Sequence, residues 1–148
     1  VKAISLWQPW ASLIAVGVKK IETRHWHTPY KGPIAIHAAK KLEKHFGDEL
    51  AELCEDEFGG HWMVDLPRGA FVATANLVAC EPMLYDYFIE DSYPGRNEFI
   101  CGNWQKGRFA WLLDDIRAID PVPFRGLQGL FNASLQLPQT GQTEPKHG

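Results

Sequence analysis

The sequence is short of cysteine, and the three it has, Cys54, Cys80 and Cys101, stand far apart. Their number is odd and no C-x-x-C pair occurs, so neither a zinc knuckle nor a disulfide framework is supported. A reducing, cytoplasmic setting is the default expectation for such usage. No run approaches the ~18 consecutive apolar residues of a membrane-spanning helix, so no membrane partner is expected. Val1 to Trp7 lead straight into Gln8-Pro9 without the apolar region of a secretory signal. Internal repeats and linkers are missing too, and 148 residues predict one domain. An excess of positive charge is also lacking: the net charge of −3 argues against a general polyanion binder.

What charge there is lies unevenly. Residues 1–47 hold eight Lys/Arg against two Glu, whereas residues 48–148 hold seven Lys/Arg against sixteen Asp/Glu. That asymmetry predicts a local basic site on an otherwise acidic body, unless the fold interleaves the two parts. Aromatics reach 12%, with six Trp. They suit either a tight core or flat faces for stacking bases.

The pattern alternates short strands with one or two helices. Ile4 to Trp7 reads as a strand, and residues 9–16 as a short helix with Pro9 in its first turn and Gly17 as a left-handed stop. Lys19 to Arg24 leaves that helix as a turn into a strand, and Ile34 to Ala39 forms another. From Lys40 the period becomes helical through Leu42, Phe46, Leu50, Cys54 and Phe58, broken at Gly47, where Asp48 caps a second segment. Ala70 to Cys80 and Arg108 to Asp114 are strands, Pro121 and Pro123 confine the next segment to an edge or loop, and residues 134–137 form a last strand. The expected class is α+β, a small, partly closed β-barrel with one or two flanking helices. The domain spans residues 1–137, and the Pro-, Gln- and Thr-rich residues 138–148 read as a disordered tail.

The first constellation that carries chemistry is Lys19, Glu22 and Arg24 after the Gly17 stop. Residues 22 and 24 of an extended segment share a face. A carboxylate between two cations would be held in place, and the Arg fork suits a base edge or a phosphate. The plain alternative is a solvated turn with an ordinary ion pair.

These residues form G-x-K-x-x-E-x-R, which resembles the motif of the ASCH domain, a relative of the PUA domain of RNA-modifying enzymes. Ser5-Leu6-Trp7-Gln8-Pro9-Trp10-Ala11, Ile36-His37-Ala38-Ala39-Lys40, Gly107-Arg108-Phe109-Ala110-Trp111 and Pro123-x-x-Gly126-x-x-Gly129-Leu130-Phe131 resemble its bacterial and phage branch. The resemblance implies a PUA-like barrel with the motif lining a cleft. It also implies a range of functions: RNA or DNA binding, nuclease activity or, in a compact branch, removal of acetyl from N4-acetylcytidine. Fold kinship does not select among these.

The amidohydrolase branch uses a Lys and a Thr from the motif turn and a later Glu. Lys19 matches the Lys. Glu22 stands where that branch has Thr, and Thr23 is displaced to the opposite strand face. The later Glu is Glu81, Glu90 or Glu98. A lysine base near pH 7 must titrate about 3 pH units below its ordinary value, roughly 4 kcal/mol, and an adjacent Glu22 opposes this. If hydrolysis occurs, Glu22 activates water and Lys19 is its electrostatic partner.

Four further groups complete the candidate site. Trp7, Trp10, Trp26 and Tyr30 surround the basic motif, with Trp10 expected in the core and Trp7 and Trp26 as stacking candidates. His37 ends a strand and reads first as structural, while Lys40 at a helix start would meet an anion. The resemblance places Arg125 and Gln128 on a second wall of the cleft. His25-Trp26-His27 lacks a third ligand, so neither metal nor cofactor is expected. Leu137-Pro138-Gln139-Thr140-Gly141 fits a sortase pattern but lacks an apolar span after it.

The leading expectation is recognition of RNA, another single-stranded nucleic acid or a modified nucleoside, with Lys19, Glu22 and Arg24 holding the base edge. A hydrolase on a modified nucleoside or a ribonuclease is the alternative. A protein-interaction module is a second one, to be favoured by an exposed apolar patch away from residues 17–24.

Overall fold

The computed structural model describes residues 1–134, so the expected tail, the L-P-Q-T-G segment and most of the expected strand at 134–137 lie outside the described residues. Six strands form one sheet: β1 (Lys2–Gln8), β2 (Ile21–Arg24), β3 (Gly32–Leu42), β4 (Ala70–Pro82), β5 (Phe109–Pro123) and β6 (Leu130–Asn132). Their order is β2-β5-β4-β3-β1-β6. β1 runs parallel to β3, and every other neighbouring pair is antiparallel. No pairing joins β2 to β6 among the described residues, so the α+β fold keeps a partly open sheet.

Four helices accompany the sheet among the described residues: α1 (Trp10–Ala15), α2 (Asp48–Phe58), α3 (Trp62–Asp65) and α4 (Arg96–Ile100). None is long and apolar enough to cross a membrane. The apolar positions of α1 explain where it sits. Ala11 and Ile14 pack with Ile4, Leu6, Ile36, Leu77 and Trp111 of the sheet. Leu13 meets Leu50 and Cys54 of α2, Trp62 of α3 and Cys101. At the start of α1 the buried Gln8 side chain accepts from the Ser12 backbone N–H at 3.0 Å and donates to Ser12 Oγ and the Pro67 carbonyl, both at 2.7 Å. A buried amide with every group partnered is the condition under which such a residue is tolerated.

One expectation changes. The helical period from Lys40 is realised only after Gly47, and residues 40–42 continue β3 instead. Lys40 therefore does not stand at a helix start, and no helix-terminal donors surround it. The strand wins because β3 remains paired with β1 as far as Leu42. Pro121 and Pro123 fall on an edge, as expected: they lie inside β5, but β2 covers only Phe109 to Leu112. Beyond that point β5 is paired on one side with β4, and a proline's missing N–H removes no bond on the open side.

Candidate functional site

The motif turn is built by helix termination. Gly17 has φ +83°, and its N–H donates to the Ile14 carbonyl at 2.9 Å. The N–H groups of Val18 and Lys19 both reach the Leu13 carbonyl, which turns the chain back under α1. Lys19 consequently enters the interior, where it is 1% exposed. Its Nζ donates to the Ile21 carbonyl at 2.6 Å and the Cys101 carbonyl at 2.9 Å, and lies 3.3 Å from Glu22 Oε1. Two of the three donors of the ammonium thus go to backbone carbonyls, and its charge is paired with Glu22.

Glu22 and Arg24 share a face of β2, as the alternation requires. Glu22 Oε2 accepts from Arg24 Nε at 2.7 Å, and Arg24 Nη2 donates to the Ser5 carbonyl at 3.0 Å. Lys19, Glu22 and Arg24 thus form a line from the interior outward, with Glu22 shared between the two cations. Thr23 faces the other way and is buried, its Oγ1 accepting from the Asn103 N–H at 2.9 Å.

Of the three later glutamates only Glu98 reaches the motif. Its carboxylate accepts from the backbone N–H groups of Lys20 at 2.6 Å and Ile21 at 3.2 Å. Burial pushes this carboxyl above the usual range, against the pull of those N–H groups and of Lys19 and Lys20. Glu81 and Glu90 are exposed and make no hydrogen bond or ion pair to the motif.

A cleft of about 1340 Å³ opens beside this line, and of the motif only Arg24 lines it. Ser5 and Trp7 of β1, His37 and Lys40 of β3, and His25 and Trp26 after β2 make one side. Residues 123–129, including Arg125, Leu127 and Gln128, make the other. Lys19 and Glu22 do not line it. Arg24, Lys40 and Arg125 are its permanent cations, and no Asp or Glu is among its lining residues.

The mouth of the cleft owes its shape to a bulge. Leu6 pairs with Ala38 but Gln8 pairs with Leu42, so three residues of β3 stand opposite Trp7 alone. Extra residues of this kind re-aim side chains. Here Lys40 enters the cleft wall and the Lys41 ammonium sits 5.2 Å from the Trp7 ring centre. Trp7 is 44% exposed. Trp26 is partly buried, packed edge-on against Trp111 at 4.7 Å, and Trp10 packs into the core. Tyr30 donates to the Pro33 carbonyl and is not a cleft residue.

His37 is 1% exposed and forms part of the cleft floor. A carbonyl only accepts, so the 2.6 Å contact of His37 Nε2 with the Phe124 carbonyl puts a proton on Nε2. In the neutral ring Nδ1 then accepts from Ser5 Oγ–H at 2.9 Å. Burial lowers the pKa of this ring, against the Phe124 carbonyl bond. The unfolded chain takes up the proton near pH ~6.5, and the folded chain does so only at lower pH. Stability from neutral His37 is therefore full above that value and is lost as pH falls through the folded pKa, by at most about 1.4 kcal/mol per pH unit. Thermal melts from neutral to mildly acidic pH should show this decline, and His37→Gln should flatten it. An equal decline in that variant would assign the titration to another group.

Of this lining the sequence singles out Trp7, Arg24, Trp26, His37, Lys40, Arg125 and Gln128 and misses, among others, Ser5, His25, Phe124 and Leu127. Ser5 was accessible to alternation, because it shares a strand face with Trp7. The Phe124 carbonyl has no side-chain signature. Among the described residues no group of three His, Cys, Asp or Glu could hold a metal ion.

Residues 4–113 match the family model for the ASCH domain. Activating signal cointegrator 1 of Homo sapiens is 30% identical, over 70% of this chain and 19% of that protein, and the Mus musculus protein of the same name matches at the same identity and coverage. The chain thus spans about a fifth of the length of these relatives. The crystal structure of ASCH from Zymomonas mobilis shows a TM-score of 0.46 at 22% identity, covering 82% of this chain and 72% of that one. On the match over residues 4–113, the chain belongs to the ASCH domain family.

Proposed function

We propose that the cleft binds single-stranded RNA, with Trp7 stacking a base and Arg24, Lys40 and Arg125 meeting the flanking phosphates. One observation carries this reading: three cations and two tryptophans line a single cleft that has no carboxylate. Stacking a base on an aromatic face contributes ~1–3 kcal/mol, and cations along the strand supply the salt-sensitive remainder. Among the described residues two of the five N–H donors of Arg24 are used, by Glu22 and Ser5, so the guanidinium keeps donors for a ligand while its position is fixed. A free modified nucleoside is the smaller ligand of the same chemistry.

Fluorescence anisotropy with a labelled single-stranded oligoribonucleotide across a salt series tests the proposal. Arg24→Ala and Arg125→Ala should each weaken binding and reduce the slope of log K against log salt by about 1. If the parent does not bind, or if both variants bind like the parent, the cleft is not the RNA site.

The placement of the motif supports binding over hydrolysis. Lys19 is buried, bonded to two carbonyls and paired with Glu22, and Glu22 Oε2 is engaged by Arg24, so both groups are committed within the protein and neither lines the cleft. A cleft of about 1340 Å³ is also wider than a pocket fitted to one nucleoside. Incubation with N4-acetylcytidine should yield no cytidine above a Lys19→Ala control. Turnover in the parent that a well-folded Lys19→Ala protein lacks would reverse this order.

A further inference from the structure

Away from the cleft, the segment between β4 and α4 exposes an aromatic surface. Tyr85 is 60% exposed, Phe88 59% and Tyr93 43%. The rings of Tyr85 and Tyr93 belong to one cluster. Tyr87 lies 4.9 Å from Tyr85, 5.6 Å from Tyr93 and 5.5 Å from the buried Trp104. The backbone beneath is tied down. The Tyr87 N–H donates to the Trp104 carbonyl at 3.0 Å, Asp91 accepts from the Phe88 N–H at 2.8 Å, and Asp86 accepts from the Lys106 N–H at 2.8 Å. An ordered aromatic surface loses little conformational freedom on binding.

The charge of this surface is one-sided. Residues 81–98 contain five carboxylates and one cation, Arg96. Glu98 is committed to the motif turn, but Glu81, Asp86, Glu90 and Asp91 are exposed and enter no ion pair among the described residues. Glu81 lies near enough to the ring cluster to help raise the pKa of the Tyr93 phenol, second to burial. Carboxylates interleaved with exposed tyrosine faces repel phosphate and attract guanidinium and ammonium groups, which also favour the aromatic face.

We propose that this surface docks an extended Lys/Arg-rich segment of another protein, its cations lying on Tyr85 and Tyr93 between Glu81 and Asp86. The cleft and this surface then serve different partners, and the inference does not depend on what the cleft binds. None of its residues lines the cleft.

A short labelled peptide of Arg, Lys and Ser is the probe, with fluorescence anisotropy as the readout. The parent should bind it, increasingly well as salt is lowered, and should ignore the matching Glu/Asp/Ser peptide. Tyr85→Ala and Glu81→Lys should each weaken binding about tenfold, the scale of an interface hot spot. Both positions are exposed, so circular dichroism should confirm that these variants fold. Arg24→Ala should bind the peptide like the parent, which separates this test from that of the cleft. The proposal is overturned if the parent binds neither peptide or both alike, or if Tyr85→Ala and Glu81→Lys bind unchanged. Sedimentation showing that this surface pairs with a second copy of the chain would overturn it as well.

Discussion

Lys19→Ala is expected to destabilise the domain by about 3–5 kcal/mol, the range for removing one partner of a buried ion pair. The substitution strips donors from the carbonyls of Ile21 and Cys101 and a cation from Glu22, all on elements that Lys19 ties together. Total stability of a domain is about 5–15 kcal/mol, so the loss is a large share of it. Urea unfolding should show a lower midpoint with little change in slope. The same experiment assigns the residue's role. A Lys19→Ala protein with the parent's midpoint but no RNA binding would make Lys19 a ligand contact. A lower midpoint, with binding retained by the folded fraction, makes it a positioning residue for Glu22 and Arg24.

Gly126→Val should be the most damaging change in the second cleft wall. A Cβ at this position would stand 2.6 Å from His37 Cε1, 2.7 Å from His37 Nδ1 and 3.0 Å from Ser5 Oγ. The ring is held at both nitrogens and cannot withdraw without breaking a bond. The loop after Phe124 must therefore lift, which opens the cleft between its two walls. Overpacking of this kind costs about 1–3 kcal/mol, and for ~150 residues each kcal/mol shifts Tm by roughly 2–4 °C. Leu127→Ala, at an exposed neighbour, should leave Tm nearly unchanged. In a His37→Ala background the space is vacated, so Gly126→Val should cost less than in the parent. Additive losses in that cycle would show that the two residues do not meet.

How far the sequence revealed this site depends on the range of the interaction. Local signals were legible. Gly17 ends α1, Glu22 and Arg24 share a face, and Thr23 turns away. Of the eight cations in residues 1–47, Arg24 and Lys40 stand in the cleft wall and Lys41 beside Trp7. What failed was the inference from pattern to orientation. G-x-K-x-x-E-x-R places Lys19 beside Glu22 but says nothing of the Cys101 carbonyl, 82 residues away, that draws the ammonium inward. Lys40 stands in a strand rather than at a helix start because its apolar neighbours fit a helical period equally well and the pairing of β3 with β1 decides between them. Glu98 could not be told from Glu81 and Glu90, because all three are merely later carboxylates until α4 brings one of them to Lys20.

The strand order has a consequence for when the cleft comes into being. β1 lies between β3 and β6, so one edge of it stays unpaired until the chain beyond Gly129 has been made. The wall contributed by residues 123–129 also lies past residue 113, where the family match ends. A nascent or truncated chain ending there carries the whole signature motif but only one wall of the cleft. Such contacts, distant in sequence, are slow to form, since the loop between them must close first. Pairing of β6 and completion of the cleft are thus one event, and under the proposed function a ligand that bridges both walls favours the completed chain over its precursors.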